Sequence, residues 1–207
     1  MAWHAAPTPR PVATVARRAV AAVTAVLLSA GCASGSDAVV QGGSFKFVSP
    51  GGKTDIFYDP PQQRGAVGVI SGPDLMLDHK ITAVSDFPGQ VVVINMWGSW
   101  CGPCRAEAPH LEKVYAVTKD LGVQFLGIDV RDTRDAARDF VIDHQVTYPS
   151  IFDPEIRTAI GLGRGYPTSV VPTTLVLDRQ HRVAAVFLRE LLAEDLQPVV
   201  QRVAGER

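Results

Sequence analysis

Val91-Val-Val-Ile-Asn-Met-Trp-Gly-Ser-Trp-Cys-Gly-Pro-Cys-Arg-Ala-Glu-Ala-Pro109 decides the fold. Its β-branched opening, Val91–Ile94, reads as a buried strand. The run breaks at Gly98-Ser99 and enters Cys101-Gly102-Pro103-Cys104, after which a helical pattern begins. A Cys-X-X-Cys pair at a strand-to-helix junction puts its first sulfur at a helix N-terminus, where unpaired amides and the macrodipole favour a thiolate. The second sulfur, three residues on, falls on the same helix face, near enough to close a disulfide. The stretch reads as a redox switch.

Downstream, a helix is predicted from about Pro103 to Leu121, with Ala108, Leu111, Val114, Tyr115 and Thr118 on one face and Pro109 as a kink. A strand at 123–130 and a helix near 133–144, capped by Thr133 or Asp132, come next. A short helix is expected around 155–160, then a Gly-rich loop at 161–167. Thr173–Leu177 and Arg182–Phe187 flank Asp178-Arg179-Gln180-His181 as an antiparallel hairpin, and Ala193–Ala204 is a last helix. The order β-α-β-α-β-β-α predicts an α/β fold, a mixed central sheet with helices on both faces. Upstream, Phe45–Val48 and Asp55–Tyr58 read as an N-terminal hairpin extension, and Leu75–Leu77 with Ile81–Val84 as a second hairpin. His79 reads as a solvated turn residue.

The first 31 residues read as a targeting segment rather than as fold. A basic region ends at Arg17-Arg18, and the apolar stretch Ala19–Leu28 is short of the roughly 20 residues a membrane span needs. Leu28-Ser29-Ala30-Gly31-Cys32 resembles a bacterial lipobox, with Ser29 where an aliphatic residue is usual, and this implies lipidation of Cys32. The alternative is a plain secretory signal cleaved near Ala33. Three cysteines are odd for an exported chain, and lipidation of Cys32 leaves Cys101 and Cys104 as an isolated pair. Residues 32–44 then form a flexible tether, 45–70 an N-terminal extension and 71–207 the main domain. Beyond position 31 the chain carries 17 basic and 21 acidic residues, which gives no reason to expect nucleic-acid binding.

Trp100-Cys101-Gly102-Pro103-Cys104, Pro109, and Val171-Pro172-Thr173 ahead of a strand resemble the thioredoxin fold. The lipobox, Pro73-Asp74-Leu75, Ser85-Asp86-Phe87, Asn95 and Glu107 narrow the resemblance to the TlpA/ResA group of exported thioredoxin-like proteins, over roughly 71–204. The resemblance implies that Cys101 attacks a target disulfide and that Cys104 resolves the mixed disulfide. It implies a substrate-facing surface of Trp100, Gly102, Pro103, Val171 and Pro172, with Pro172 as the family's cis-proline and Pro167 a decoy of similar setting. Glu107 stands where the group has a carboxylate near the site, able to raise thiol pKa values or take a proton from Cys104. Asn95 replaces the buried Asp of ordinary thioredoxin. Trp97 reads as core, Arg105 and His110 as exposed helix residues.

Arg105 follows the second Cys where a haem-attachment motif needs His, and no second Cys pair supports a zinc site. No cofactor and no metal are expected. The resemblance implies a monomeric, membrane-tethered thiol–disulfide oxidoreductase on the outer face of the bacterial cell membrane. Its implied partners are exported proteins, apocytochrome c foremost, and a membrane electron donor of the CcdA/DsbD type. A DsbA/DsbE-like oxidase is the alternative, and a Cu(I) chaperone using two soft thiolates a remote one.

Overall fold

A computed structural model describes residues 1–3, 44–163 and 165–206. The chain divides into two units, Met1–Ala38 and Val39–Arg207, and the second carries the fold. The targeting segment, Cys32 and the tether to residue 43 lie outside the described residues, apart from residues 1–3. Among the described residues no helix is long and apolar enough to cross a membrane.

Strand β4 (Val91–Trp97) is buried at every position and sits inside a six-stranded mixed sheet. On one side it pairs in parallel with β5 (Val123–Asp129), which pairs in parallel with β6 (Ser150–Phe152). On the other it pairs antiparallel with β7 (Thr173–Leu177), then β8 (Val183–Phe187) and β1 (Asp55–Phe57). Two-sided burial explains why Val91–Trp97 is apolar throughout save Asn95 rather than alternating.

Helix α1 (Gly102–Thr118) runs on through Pro109 and ends in a 3-10 turn at Lys119–Leu121, closed by Gly122 at φ 76°. Helix α2 (Arg134–Asp143) starts at Thr133, whose hydroxyl accepts from the Ala136 N–H. Helix α3 spans Ala193–Ala204 as its sequence pattern predicts. The short helix expected at 155–160 is a 3-10 turn, Arg157–Ile160.

The sequence reading puts helices on both faces of this mixed α/β sheet; the three α-helices instead share one face. Val91, Val93 and Trp97 alternate toward Leu111 and Val114 of α1, Phe140 of α2, and Leu196 and Val200 of α3. The cause is topological. The steps from β4 to β5 and from β5 to β6 move the same way across the sheet, so two right-handed crossovers place α1 and α2 on the same side. The other face, with Ile94, Met96, Leu126, Ile128 and Leu175, is covered by Phe45, Phe47, Ile70, Ala159, Leu162 and Tyr166.

Residues 45–70 therefore supply core side chains, and the expected N-terminal hairpin does not form. Ser44 makes an isolated bridge to Ala66, and β1 pairs with β8 rather than with 45–48. The pattern of residues 45–58 carries two short apolar runs around a turn, but the available edge belonged to a strand far along the chain. The second hairpin forms with its first arm shifted to β2 (Ser71–Pro73), paired with β3 (Ile81–Ala83). Asp74 turns its carboxylate into the connecting loop, accepting from the Met76 and Leu77 N–H groups and the Thr82 hydroxyl.

Candidate active site

The site stands at the C-terminal end of β4, where the chain turns into α1. Cys101 is the N-cap of α1, and its Sγ accepts from the Cys104 N–H at 3.2 Å. The two cysteines form a disulfide with an S–S length of 2.08 Å. Pro103 occupies the first turn, where the helix needs no N–H from it. Gly102 and Pro103 are exposed; Cys101 is 3% and Cys104 1% exposed. Cys101 at the helix head and Cys104 one turn in place the pair where thiol–disulfide exchange can run through either sulfur.

The turn before Cys101 is held from the side by the loop that follows β5. The Trp97 carbonyl accepts from the Val130 N–H at 2.9 Å, and the Trp100 indole N–H donates to the Val130 carbonyl at 3.0 Å. The Ser99 N–H donates to the Asp132 carboxylate at 2.6 Å. The Arg131 guanidinium lies 6.0 Å from the Trp100 ring centroid, at the limit of a cation–π contact. Gly98 is required here, because a Cβ would meet the Trp100 indole nitrogen at 2.4 Å. Trp100 nevertheless remains 47% exposed, an apolar surface beside the disulfide.

Val171–Pro172 is a cis peptide, as is Asp59–Pro60, and Pro167 is not in one. Pro172 is buried at the start of β7, and Val171 packs against the cluster that contains Cys101, Cys104, Trp97 and Ala108. Trp97 stacks on Phe140 at 4.3 Å, as a core aromatic.

Beneath the pair lies Glu107, with no exposed surface. The buried side of α1 is Cys104, Glu107, Ala108 and Leu111, spaced as one helix face requires. That face turns the carboxyl toward β4, where Asn95 Nδ2 donates to Glu107 Oε1 at 2.8 Å and to Thr174 Oγ1 at 3.1 Å. The Leu191 N–H donates to the other oxygen at 3.1 Å. Burial outweighs these bonds and pushes the Glu107 pKa up to about 8. A cavity with room for about one water molecule lies between Asn95, Cys104, Ala108 and Tyr148.

The structure thus brings Trp100, Cys101, Gly102, Pro103 and Cys104 together, sets Val171–Pro172 against the same cluster, and places Glu107 one layer below. Cys32 lies outside the described residues. The sequence reading missed the Val130–Asp132 brace and the buried Asp129 ahead of it. Their only signal was an Asp-Val-Arg-Asp run at a strand end, which reads as an ordinary turn. Among the described residues no group of three or more His, Cys, Asp or Glu is arranged to hold a metal ion.

The AhpC/TSA family model matches residues 71–186. Among solved structures, a secreted thiol-disulfide isomerase from Corynebacterium glutamicum is 47% identical, with a TM-score of 0.76 over 80% of this chain and 100% of that one. A DsbF homologue from Corynebacterium diphtheriae is 50% identical, with a TM-score of 0.72 over 77% and 99%. Among curated relatives, the thiol-disulfide oxidoreductase ResA of Bacillus cereus is 28% identical over 127 residues, 61% of this chain and 71% of that protein. With its disulfide at the head of α1, the chain belongs to the AhpC/TSA family and, within it, to the thioredoxin-fold thiol–disulfide oxidoreductases.

Proposed function

We propose that this oxidoreductase runs as a reductase of exported proteins, tethered to the outer face of the cell membrane through a lipid on Cys32. Cys101 is the attacking sulfur: its thiolate attacks one sulfur of a target disulfide, forms the mixed disulfide and releases the other target sulfur as a thiolate. Cys104 loses its proton and attacks Cys101, which frees the second target thiolate and closes the Cys101–Cys104 bond. Trp100, Gly102 and Pro103 with Val171 and Pro172 form the wall against which an extended substrate lies. The ionised fraction of Glu107 is the proton acceptor for Cys104.

The observation that carries the direction is the fully buried Glu107 carboxyl, three residues after Cys104. Burial raises its pKa to about 8, and as it ionises its charge disfavours thiolates at the pair; a dithiol whose thiolates are not stabilised is the stronger reductant. The curated relatives named ResA are thiol-disulfide oxidoreductases, which supports the exchange chemistry but not a direction. Apocytochrome c is then a fitting substrate, and a membrane thiol carrier of the CcdA/DsbD type a fitting source of electrons. The second reading is a DsbA/DsbE-like oxidase; the secreted thiol-disulfide isomerase at 47% identity favours a related one, the rearrangement of disulfides in exported proteins.

Equilibration with glutathione and with dithiothreitol separates the two. A potential near that of thioredoxin, about −270 mV, is expected, and one near that of DsbA, about −120 mV, overturns the reductase reading. Fractionation of Cys32→Ala in the same cells tests the tether: the variant should leave the membrane, and retention there rejects the lipid.

A further inference from the structure

Asp129 ends β5 with no exposed surface, and both of its carboxyl oxygens lack a hydrogen-bond donor. It stands beside Trp97 in the parallel register, on the sheet face that carries the redox site. Its neighbour along that face, Ser150 across from Gly127, also keeps a buried hydroxyl oxygen without a partner. Unpaired buried carboxyl oxygens cost several kcal/mol as an ion, so a group left this way in a native fold calls for an account.

The account lies in the loop that leaves Asp129. Asp132 stands within hydrogen-bonding reach of it, and two carboxyl groups bond to each other only when one carries a proton. Asp132 already accepts from Ser99 N–H at 2.6 Å and Thr133 N–H at 2.8 Å, so it is the acceptor, and the proton belongs on Asp129. The other charged groups facing Asp129 are Arg134 at the start of α2 and Asp153 after β6. Arg134 is engaged with the Asp74 and Leu75 carbonyls and the face of Phe152, and Asp153 with the amides of Arg157 and Thr158. Neither makes a hydrogen bond to Asp129.

We propose that Asp129 is a positioning residue for the redox site. As a neutral acid it donates its carboxyl proton to Asp132, which fixes the Ser99–Trp100 corner against Val130 and sets the rim beside Cys101. When that proton passes to a solvent base, two like charges face each other in a buried place, the Asp132 brace moves away and the corner loosens. The rim of the disulfide then responds to pH while no thiol titrates in it. This deepens the assignment of Cys101–Cys104 as the reacting pair and rests on it, but it holds for either direction of electron flow.

The oxidised full-length protein tests it, because the Cys101–Cys104 disulfide has no proton to lose. Burial and the facing Asp132 raise the Asp129 pKa to about 8. The Trp100 indole N–H and Ser99 amide resonances should move together with a midpoint near that value, in step with the Asp129 carboxyl carbon. In Asp129→Asn the movement should vanish, and in Glu107→Gln it should persist. Reduction of the disulfide by dithiothreitol should show a wild-type to Asp129→Asn rate ratio that is constant at low pH and changes by about threefold above the midpoint. Static indole and amide resonances, or a transition that survives Asp129→Asn, overturn the proposal. Should that variant not fold, the wild-type carboxyl signal decides alone: a midpoint that does not coincide with that of Trp100 overturns it equally. Loss of exchange in Cys101→Ser is the separate test of the reacting pair.

Discussion

Glu107 and Asp129 are acids that the fold keeps protonated, each raised to about 8 by burial. Between about pH 5 and pH 8 an unfolded chain has given up these protons while the folded one holds them, so stability falls as pH rises through that window. The opposite contribution, from Asp55, Asp74 and Asp195 whose pKa values lie below the ordinary carboxylate range, is lost only in acid and leaves the window clear. In Glu107→Gln the amide oxygen still accepts from Asn95, although the Leu191 N–H loses its acceptor. The urea midpoint of that variant should decline less steeply than wild type across the window, by up to about 1.4 kcal/mol per pH unit. Equal slopes would mean that Glu107 titrates as an ordinary surface carboxylate. The Cys pair was legible in the sequence because its chemistry is local. The burial of Glu107 was half legible, since its spacing from Cys104 marks the helix face but not what lies beneath it. Asp129 was not legible, because an Asp ending a strand looks the same whether it meets water or Trp97.

At the scale of elements, long periodic stretches are read well and short pairings poorly. α1 and α3 carry several turns of apolar period, so their bounds follow from the pattern. β6 has three residues behind Pro149, too few for any alternation to show, and β1 finds its partner only in β8. Gly127 shows what joins such elements. A Cβ on it would lie 2.1 Å from Ser150 Oγ and 2.7 Å from the Trp97 indole nitrogen. The β5–β6 pairing and the seat of Trp97 both depend on that missing methyl. Gly127→Ala should cost about 1–3 kcal/mol in urea unfolding, with near-ultraviolet dichroism of the tryptophans altered. Wild-type stability in this variant would show that Ser150 simply rotates away.

At the scale of the whole molecule, Arg64 ties distant parts together with a side chain that has no exposure. Its guanidinium donates to Asp59 at 2.7 Å, to Asp178 in the β7–β8 turn at 3.3 Å, and to both oxygens of Glu206 beyond α3 at 2.5 and 2.8 Å. Its Nε donates to the Tyr58 carbonyl at 3.0 Å. Arg64→Met removes a cation shared by three carboxylates, and Asp178 is itself buried. The expected loss is about 3–5 kcal/mol by denaturant titration, with Arg64→Lys intermediate because it offers fewer donors. An unchanged midpoint in Arg64→Met would mean that Arg182, which also pairs with Asp178, takes over the role.

The covering of one sheet face by residues 45–70 has a consequence for synthesis. This segment leaves the ribosome ahead of the other strands of the sheet, yet β1 awaits β8 and Arg64 awaits a carboxylate 142 positions further on. Pairings of such long range close slowly and late. Until β8 and Glu206 have emerged, β1 has no strand to pair with and Arg64 lacks one of its carboxylates. A domain closed by pairings of such long range gains its full resistance to unfolding only once β8 and the turn after α3 are in place.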